Sequence, residues 1–490
     1  MGLLLVLPLA ITLLALLAAS SHHLGLGRGQ GRGRGVRRYA GVAAASVVLG
    51  CGLALAAAAL DDRTVTALGG QLRADALSVF MLIVVGSVGL TATWAGLDRD
   101  PAADPGRLHA VLIVLFLGAM SLAVLADNLG VLWVAVEATT IATAFLVGHH
   151  RTRRSLEAAW KYVVLGSVGV AIAFLGIVLL YAATRAAGDP TLSWSTLHVR
   201  PPALDPSLVK VAVALAILGF ATKAGLAPMH SWLPDAHSQA PSPVSGLMSG
   251  VLLSVAFYAI LRVQAIAQPV IGIGLIRGLL VTAGLLSLAV AAALVLGQRD
   301  LKRMLAYSSI EHMGLLALAA AIGSSLAIAA ALLHVLGHGL AKSSTFVVSG
   351  RILLAEGTTS IIEIRTLLRR RPGVAVPFLC GMVALLGLPP FSLFFSEVAI
   401  VLAGVQARMG GVMAVAVLLV LVTFAGLSRH LSDMVLGPGD VPLPDGVDRS
   451  AYGPRLPLAL ALGITGVIGF AAGPFASLLT QAAAALGASG

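Results

Sequence analysis

The chain is poor in most of what a water-soluble protein needs. Charged residues make up only 11% of its 490 positions, about half the share expected of a soluble domain. Aromatic residues are scarce at 5%, and the two cysteines, Cys51 and Cys380, each sit alone in an apolar run. Neither has a Cys or His partner at ligand spacing, so no zinc site or iron–sulfur cluster is supported and both read as buried, inert thiols. Long polar stretches are missing as well. The longest connections, near 183–206 and 429–455, leave no room for a nucleotide- or flavin-binding fold. No cofactor or metal is expected, and any redox chemistry has to come from elsewhere.

What fills the chain instead is 58% hydrophobic residues at a mean hydropathy of +0.97, the composition of an integral membrane protein. A bilayer core needs about 20 apolar residues per helix, and by that ruler the sequence predicts about 14 spans. They fall near 2–20, 39–60, 76–96, 108–126, 129–148, 160–182, 207–227, 243–265, 273–296, 304–322, 324–353, 374–405, 411–428 and 456–482. The first lacks the charged start of a cleaved signal peptide, so it reads as a retained span. The net charge of +11 suggests no nucleic-acid partner, because the basic residues lie in short loops. Most of the Lys and Arg fall in the odd-numbered loops. That asymmetry predicts a multi-pass protein of the cell's inner (plasma) membrane with both termini on the non-cytoplasmic side. The Gly/Arg run from Gly25 to Gly35 reads as a flexible cytoplasmic loop at anionic headgroups.

Ionisable residues at membrane depth cost about 2.5–3.5 kcal/mol each, so those within the spans ask for a reason. Glu137 lies near the middle of the fifth span, in NLGVLWVAVEATTIATAFL, and Lys223 late in the seventh, in LGFATKAGLAPMHSWLPDAH. His334, His338 and Lys342 recur every four residues in LLHVLGHGLAKSS, along one helix face. Glu397 follows LLGLPPFSLFFS in the twelfth span. Glu311 and His312 lie in the tenth, where snorkelling to the cytoplasmic surface is an ordinary alternative. A static Glu137–Lys223 ion pair that fixes packing is the alternative for those two, whereas three titratable groups on one face are hard to explain by packing. His149, His150 and His230 read as loop residues. Prolines break the helices nearby: Pro228 after Lys223, and Pro389–Pro390 before Glu397. Gly337 and Gly339 around His338 permit a third break. Such breaks persist at membrane depth only where protein or a hydrated cavity satisfies the freed carbonyls, and titratable groups beside them are what a proton path requires.

At these residues the sequence resembles the antiporter-type subunits shared by complex I, membrane-bound hydrogenases and multi-subunit sodium/proton antiporters. The stretches that carry the likeness are WVAVEATT, SLEAAWKYVVLGSVG, TKAGLAPMHSWLPDAHSQAPSPVSGLMSG, DLKRMLAYSSIEHMG, HVLGHGLAKSSTFVVSG and GLPPFSLFFSE, together covering about 115–400. Within the family, EHMG and the glutamate after GLPP are most similar to the hydrogenase-4 component F type. The resemblance implies an all-α membrane fold of 14 helices containing two inverted five-helix repeats with broken helices, here about 108–265 and 273–430, with 1–107 and 431–490 flanking them. It also implies a proton relay of Glu137, Lys223, His334, His338, Lys342 and Glu397, with His312 able to contribute. Partners follow by the same resemblance: other membrane subunits and peripheral redox subunits of a larger complex. A secondary sodium/proton antiporter, or the membrane component of an inorganic-carbon uptake complex, are the alternatives. One departure stands out. The eighth helix of many members carries a His or Lys, but PVSGLMSGVLLSVAF offers no charged side chain or histidine there, only serines such as Ser249 and Ser254.

Overall fold

The computed structural model describes residues 1–21, 30–97, 106–199, 203–438, 453–470 and 474–488. Its helices follow the chain as α1 (Gly2–Ser21), α2 (Gln30–Leu60), α3 (Ala76–Ala95), α4 (Arg107–Leu125), α5 (Leu129–Val147), α6 (Arg153–Ala186) and a short α7 (Trp194–Val199). Then come α8 (Pro206–Lys223), α9 (Trp232–Gln239), α10 (Ser242–Leu247), α11 (Leu253–Ile271), α12 (Gly274–Val295), α13 (Leu301–Ile322) and α14 (Ser325–Glu356). The last are α15 (Leu367–Arg370), α16 (Pro372–Leu385), α17 (Ser392–Gln406), α18 (Gly410–Val435), α19 (Leu456–Ile468) and α20 (Pro474–Ala484). Eleven helical segments among the described residues are long and apolar enough to cross a membrane. Three of the spans expected from the sequence, the first, twelfth and fourteenth, correspond to shorter apolar helices, the last two as the pairs α16/α17 and α19/α20.

Helix starts are set by short polar side chains that accept bonds from otherwise unpaired N–H groups. Asn128 caps α5, accepting from the Gly130 and Val131 amides at 2.8 and 3.3 Å; Asp300 caps α13 through Arg303 N at 2.9 Å, and Ser324 caps α14 through Ala327 N at 3.3 Å. Two helices are interrupted. The chain leaves α8 at Lys223, turns through Gly225 and Pro228, and resumes in α9; it leaves α16 at Leu385, turns through Gly387 and Pro389–Pro390, and resumes in α17. These are the two proline breaks that the sequence predicts. The third, at Gly337 and Gly339, is absent: α14 runs unbroken from Ser325 to Glu356. Those glycines serve close packing instead. A Cβ on Gly339 would stand 2.7 Å from the Gly250 carbonyl oxygen, and one on Gly250 would stand 2.8 Å from the Gly339 oxygen, so the two backbones meet where any side chain would part them.

Gly250 belongs to a π-helical turn, Met248–Leu252, that joins α10 to α11 in one continuous span. That span and α13 form the centre of the bundle, their membrane segments buried on every side, as helices apolar all round should be. Within those segments polar groups face protein, whereas Arg303 at the start of α13 is part-exposed.

Other local differences have simple causes. The second loop folds into a small antiparallel hairpin, Val65–Ala67 with Leu72–Ala74. Of the Gly/Arg run expected as a loop, residues 25–29 lie outside the described residues and the rest enters α2. Cys51 is buried, but Cys380 is only half-buried.

A buried ion pair ties the hairpin side of the molecule together. Arg262, near the end of α11, donates to Asp75 Oδ1 at 2.7 Å and to Ser78 Oγ at 3.2 Å, and its guanidinium lies 3.7 Å from the centre of the Trp194 ring. Asp75 also caps α3 through Ser78 N at 2.9 Å. Burial alone would push the Asp75 carboxyl up, but the Arg262 charge and these hydrogen bonds outweigh it and hold the group below its ordinary value. Its contribution to stability is therefore full above the unfolded carboxylate value of about 3.9 and is lost as pH falls through the lower folded value. Removing one partner of a buried pair costs about 3–5 kcal/mol. Asp75→Ala should accordingly lower the thermal unfolding midpoint of the detergent-purified chain at pH 7, and acid should narrow the gap between wild type and variant; an unchanged midpoint would show that the pair contributes nothing.

Candidate functional site

Two clusters of buried polar groups lie beside the two helix breaks. In the first, α8 delivers Lys223 as its last residue, fully buried against α5 and α6. Its Nζ donates to Thr140 Oγ1 and to Tyr162 OH, both at 2.6 Å, and sits 4.5 Å from the centre of the Tyr162 ring. Tyr162 OH is in turn 2.6 Å from Thr143 Oγ1. Glu137, one turn before Thr140 on α5, accepts from Ser167 at 2.7 Å and from Thr140 at 3.3 Å. Thr140 thus bridges the carboxylate and the ammonium. The static ion pair weighed from the sequence is replaced, among the described residues, by a carboxylate–hydroxyl–ammonium chain. Lys223 is sealed inside the protein, while Glu137 is half-buried at the outer face of the bundle.

The second cluster brings α13, α14 and α17 together. His334, His338 and Lys342 are all fully buried on one face of α14. Lys342 Nζ donates to the Leu305 carbonyl at 2.8 Å and to Ser308 Oγ, both on α13. His334 has Nδ1 2.9 Å from Ser396 Oγ and Nε2 3.1 Å from His312 Nδ1. His312 Nδ1 lies 4.0 Å from Glu397 Oε1, and its ring centre lies 4.8 Å from that of His338. His338 is enclosed, with neither ring nitrogen hydrogen-bonded among the described residues. Glu311 does not snorkel: it is 4% exposed, with Oε2 unpaired among the described residues, because α13 is wrapped by protein at that level. Glu397 opens onto a cavity of about 580 Å³ lined by Leu386, Gly387, Phe394 and Val420. At Gly387 the backbone has φ +61°, a conformation that favours glycine, and a Cβ there would make the Glu397 carboxylate move.

The ligand atoms of His312, His334 and Glu397 lie within 4.8 Å of one another. A divalent cation could draw such a set together, yet a His–His contact of 3.1 Å is already a hydrogen bond, and the same spacing suits transfer of a proton between neighbouring groups.

The seven residues expected to form the relay therefore fall into these two clusters, Glu137 with Lys223 and the other five together. Sequence reading missed the hydroxyl groups that join them: Thr140, Tyr162, Ser167, Ser308 and Ser396. Tyr162 and Thr140 stand inside the quoted motifs, but nothing in their spacing reveals that they converge on Lys223 from two different helices. It also passed over Arg262, which lies inside the eighth expected span, 243–265, and is buried in the pair with Asp75.

Residues 126–423 match the family described as NADH:quinone oxidoreductase/Mrp antiporter, transmembrane. The chain belongs to this family. A hydrogenase-4 component F homolog of Methylacidiphilum infernorum is 42% identical over 59% of this chain and 61% of that protein, so the match spans less than two thirds of that relative. NADH-quinone oxidoreductase subunit N of Desulforudis audaxviator is 31% identical over 78% of this chain and 77% of its own. In fold, the chain is similar to one in the membrane-bound sulfane sulfur reductase, an archaeal respiratory membrane complex, with a TM-score of 0.85 at 24% identity over 99% of this chain and 97% of that one.

Thr140 is the group on which the first cluster turns. Thr140→Val keeps its shape but removes the acceptor for Lys223 and the donor to Glu137. A hydrogen bond to a charged group contributes about 1.5–3 kcal/mol to stability, so the variant should lower the thermal unfolding midpoint of the detergent-purified chain. An unchanged midpoint would mean that the bridge is incidental.

Proposed function

We propose that this chain is a proton-translocating membrane subunit of a redox-driven complex, of the hydrogenase-4 or NADH:quinone oxidoreductase type, and that Glu137, Lys223, His312, His334, His338, Lys342 and Glu397 form its relay. The observation that carries the reading is that ammonium, imidazole and carboxylate groups converge at membrane depth on hydroxyls and carbonyls instead of locking into closed ion pairs. Such groups are costly to keep in a bilayer and characteristically mark ion paths. The family and the named relatives point the same way. We further infer two five-helix repeats, 108–265 and 273–430, which the placement of one broken helix in each supports. Both termini on the non-cytoplasmic side follow from the Lys and Arg distribution, which a C-terminal reporter active only outside the cytoplasm reads directly.

The mechanism is electrostatic. A nearby carboxylate favours the charged ammonium of Lys223; as the two separate, burial favours the neutral amine and the proton leaves. Lys342 and Glu397 repeat the exchange in the second cluster. Moving one charge against 100 mV takes about 2.3 kcal/mol, which conformational work by partner subunits has to supply. Glu137→Gln and Lys223→Ala are therefore expected to abolish coupled translocation in native membranes while the complex still assembles. An assembled variant that pumps normally would remove the basis of the proposal. If the variants stop sodium-driven proton exchange in membranes without redox turnover, the chain is an antiporter subunit instead.

A further inference from the structure

The atoms that join the second cluster also match a different occupant. His312 Nδ1, His334 Nε2 and a Glu397 carboxylate oxygen all lie within 4.8 Å of one another, and the two ring nitrogens are 3.1 Å apart. Around a tetrahedral zinc ion, with bonds of about 2.0–2.1 Å to imidazole nitrogen and carboxylate oxygen, the ligand atoms stand about 3.3 Å from each other. The imidazole pair is thus already at metal-ligand spacing. Glu397 Oε1 is 4.0 Å from His312 Nδ1 and joins them by moving about 1 Å. Its side chain is 20% exposed and borders the cavity beside the second break, so it has room for that movement.

The hydrogen positions suit an ion as well. Ser396 donates its hydroxyl hydrogen to the Leu393 carbonyl at 2.9 Å, so its oxygen accepts from His334 Nδ1, also at 2.9 Å. That fixes the His334 tautomer, with the Nε2 lone pair aimed at His312. Metal-binding histidines are characteristically held in this way, by a hydrogen bond from the ring nitrogen that does not touch the metal. His312 Nδ1 then carries the hydrogen that joins the two rings. Carried on Nε2 instead, that hydrogen has the Leu385 carbonyl, at the C-terminal end of α16, as an acceptor close enough to act on the ring. Two imidazoles and one carboxylate, with the cavity side left for water, are the donor set of a zinc site that keeps one position open. Nitrogen donors favour zinc and its transition-series neighbours over magnesium or calcium, which take oxygen. The further charges that act on the cluster, Lys342 and Glu311, are opposite in sign and act on each other.

We propose that His312, His334 and Glu397 form a binding site for a divalent ion of the zinc class, and that the bound ion stops proton passage through the second cluster. Binding moves the hydrogen of His312 from Nδ1 to Nε2 and turns the freed lone pair onto the ion. His334 keeps its tautomer, and Glu397 binds as the carboxylate, releasing to water any proton it holds. Groups from α13, α14 and α17 are then fixed on one centre, and the hydrogen bond between the two rings is replaced by two metal–nitrogen bonds. The site is inhibitory, not structural, because the two rings meet without the ion. Binding stands on the geometry alone; the block on pumping rests on the relay reading above.

The probe is zinc ion alone, titrated into the purified full-length chain against a fluorescent zinc chelator, beside redox-driven proton pumping by the whole complex in sealed vesicles. Wild type should bind a single ion tightly, and pumping should fall as that site fills. His334→Ala should abolish this binding, and Ser396→Ala, which removes only the acceptor that orients His334, should weaken it about 10–100-fold. The competing donors are His109, His149 and His150, whose neighbouring rings lie 5.0 and 5.7 Å apart; His149→Gln with His150→Gln should leave the tight site intact. Zinc held at wild-type affinity by His334→Ala and lost with His149 and His150 is an adventitious ion only and overturns the proposal, as does the absence of saturable binding. If His334→Ala does not fold, Glu397→Gln takes its place, and wild-type affinity in that variant or in Ser396→Ala is decisive against the site. Binding as expected with pumping untouched overturns the block and removes His312, His334 and Glu397 from the relay.

Discussion

An ammonium group sealed inside a membrane protein has to be solvated by something other than water, and for Lys223 that role falls to two hydroxyls. Thr140 and Tyr162 each lie 2.6 Å from Nζ and reach it from separate helices. Much of the remaining architecture follows from that constraint. The helix carrying the lysine has to stop there, because the next residues turn through Gly225 and Pro228; α6 has to pack tightly on α8 to deliver Tyr162; and Glu137 has to stay close enough to sense the charge without neutralising it. A direct ion pair would be a resting place for the proton. A hydroxyl between the two charges leaves the pairing adjustable.

The second cluster repeats the solution with different groups. Lys342 rests on a backbone carbonyl and Ser308, and the imidazoles of His312 and His334 meet where the first cluster has hydroxyls. Both clusters stand next to an interrupted helix. The freed backbone groups and the flexible chain at each break are places where a small displacement changes the distance between charges, which is how conformational work in a partner could become proton movement.

Much of this was legible in the sequence, because an ionisable residue in an apolar run is conspicuous. Glu137, Lys223, the α14 stripe and Glu397 announce themselves by cost alone, as do the prolines after Lys223 and before Glu397. Less visible were features that depend on which helix lies beside which. Gly337 and Gly339 look like a hinge, yet they let α14 touch the π turn at Gly250. Glu311 looks like a surface residue near a helix end, but α13 is enclosed on every side. Arg262, near the end of its span, shows no partner in the sequence until Asp75 is brought against it from a position nearly 190 residues away. Trp232 and His237 sit in a segment that reads as a connection, yet the fold buries both.

The central claim is that buried groups of this chain carry protons under the drive of a redox partner. Its most direct test is to purify the assembly gently, seal it in vesicles, start the partner's redox reaction and follow internal pH with and without sodium. The account predicts a pH change that begins with turnover, collapses with a protonophore and is indifferent to sodium. A pH change that needs a sodium gradient and ignores redox turnover would contradict it.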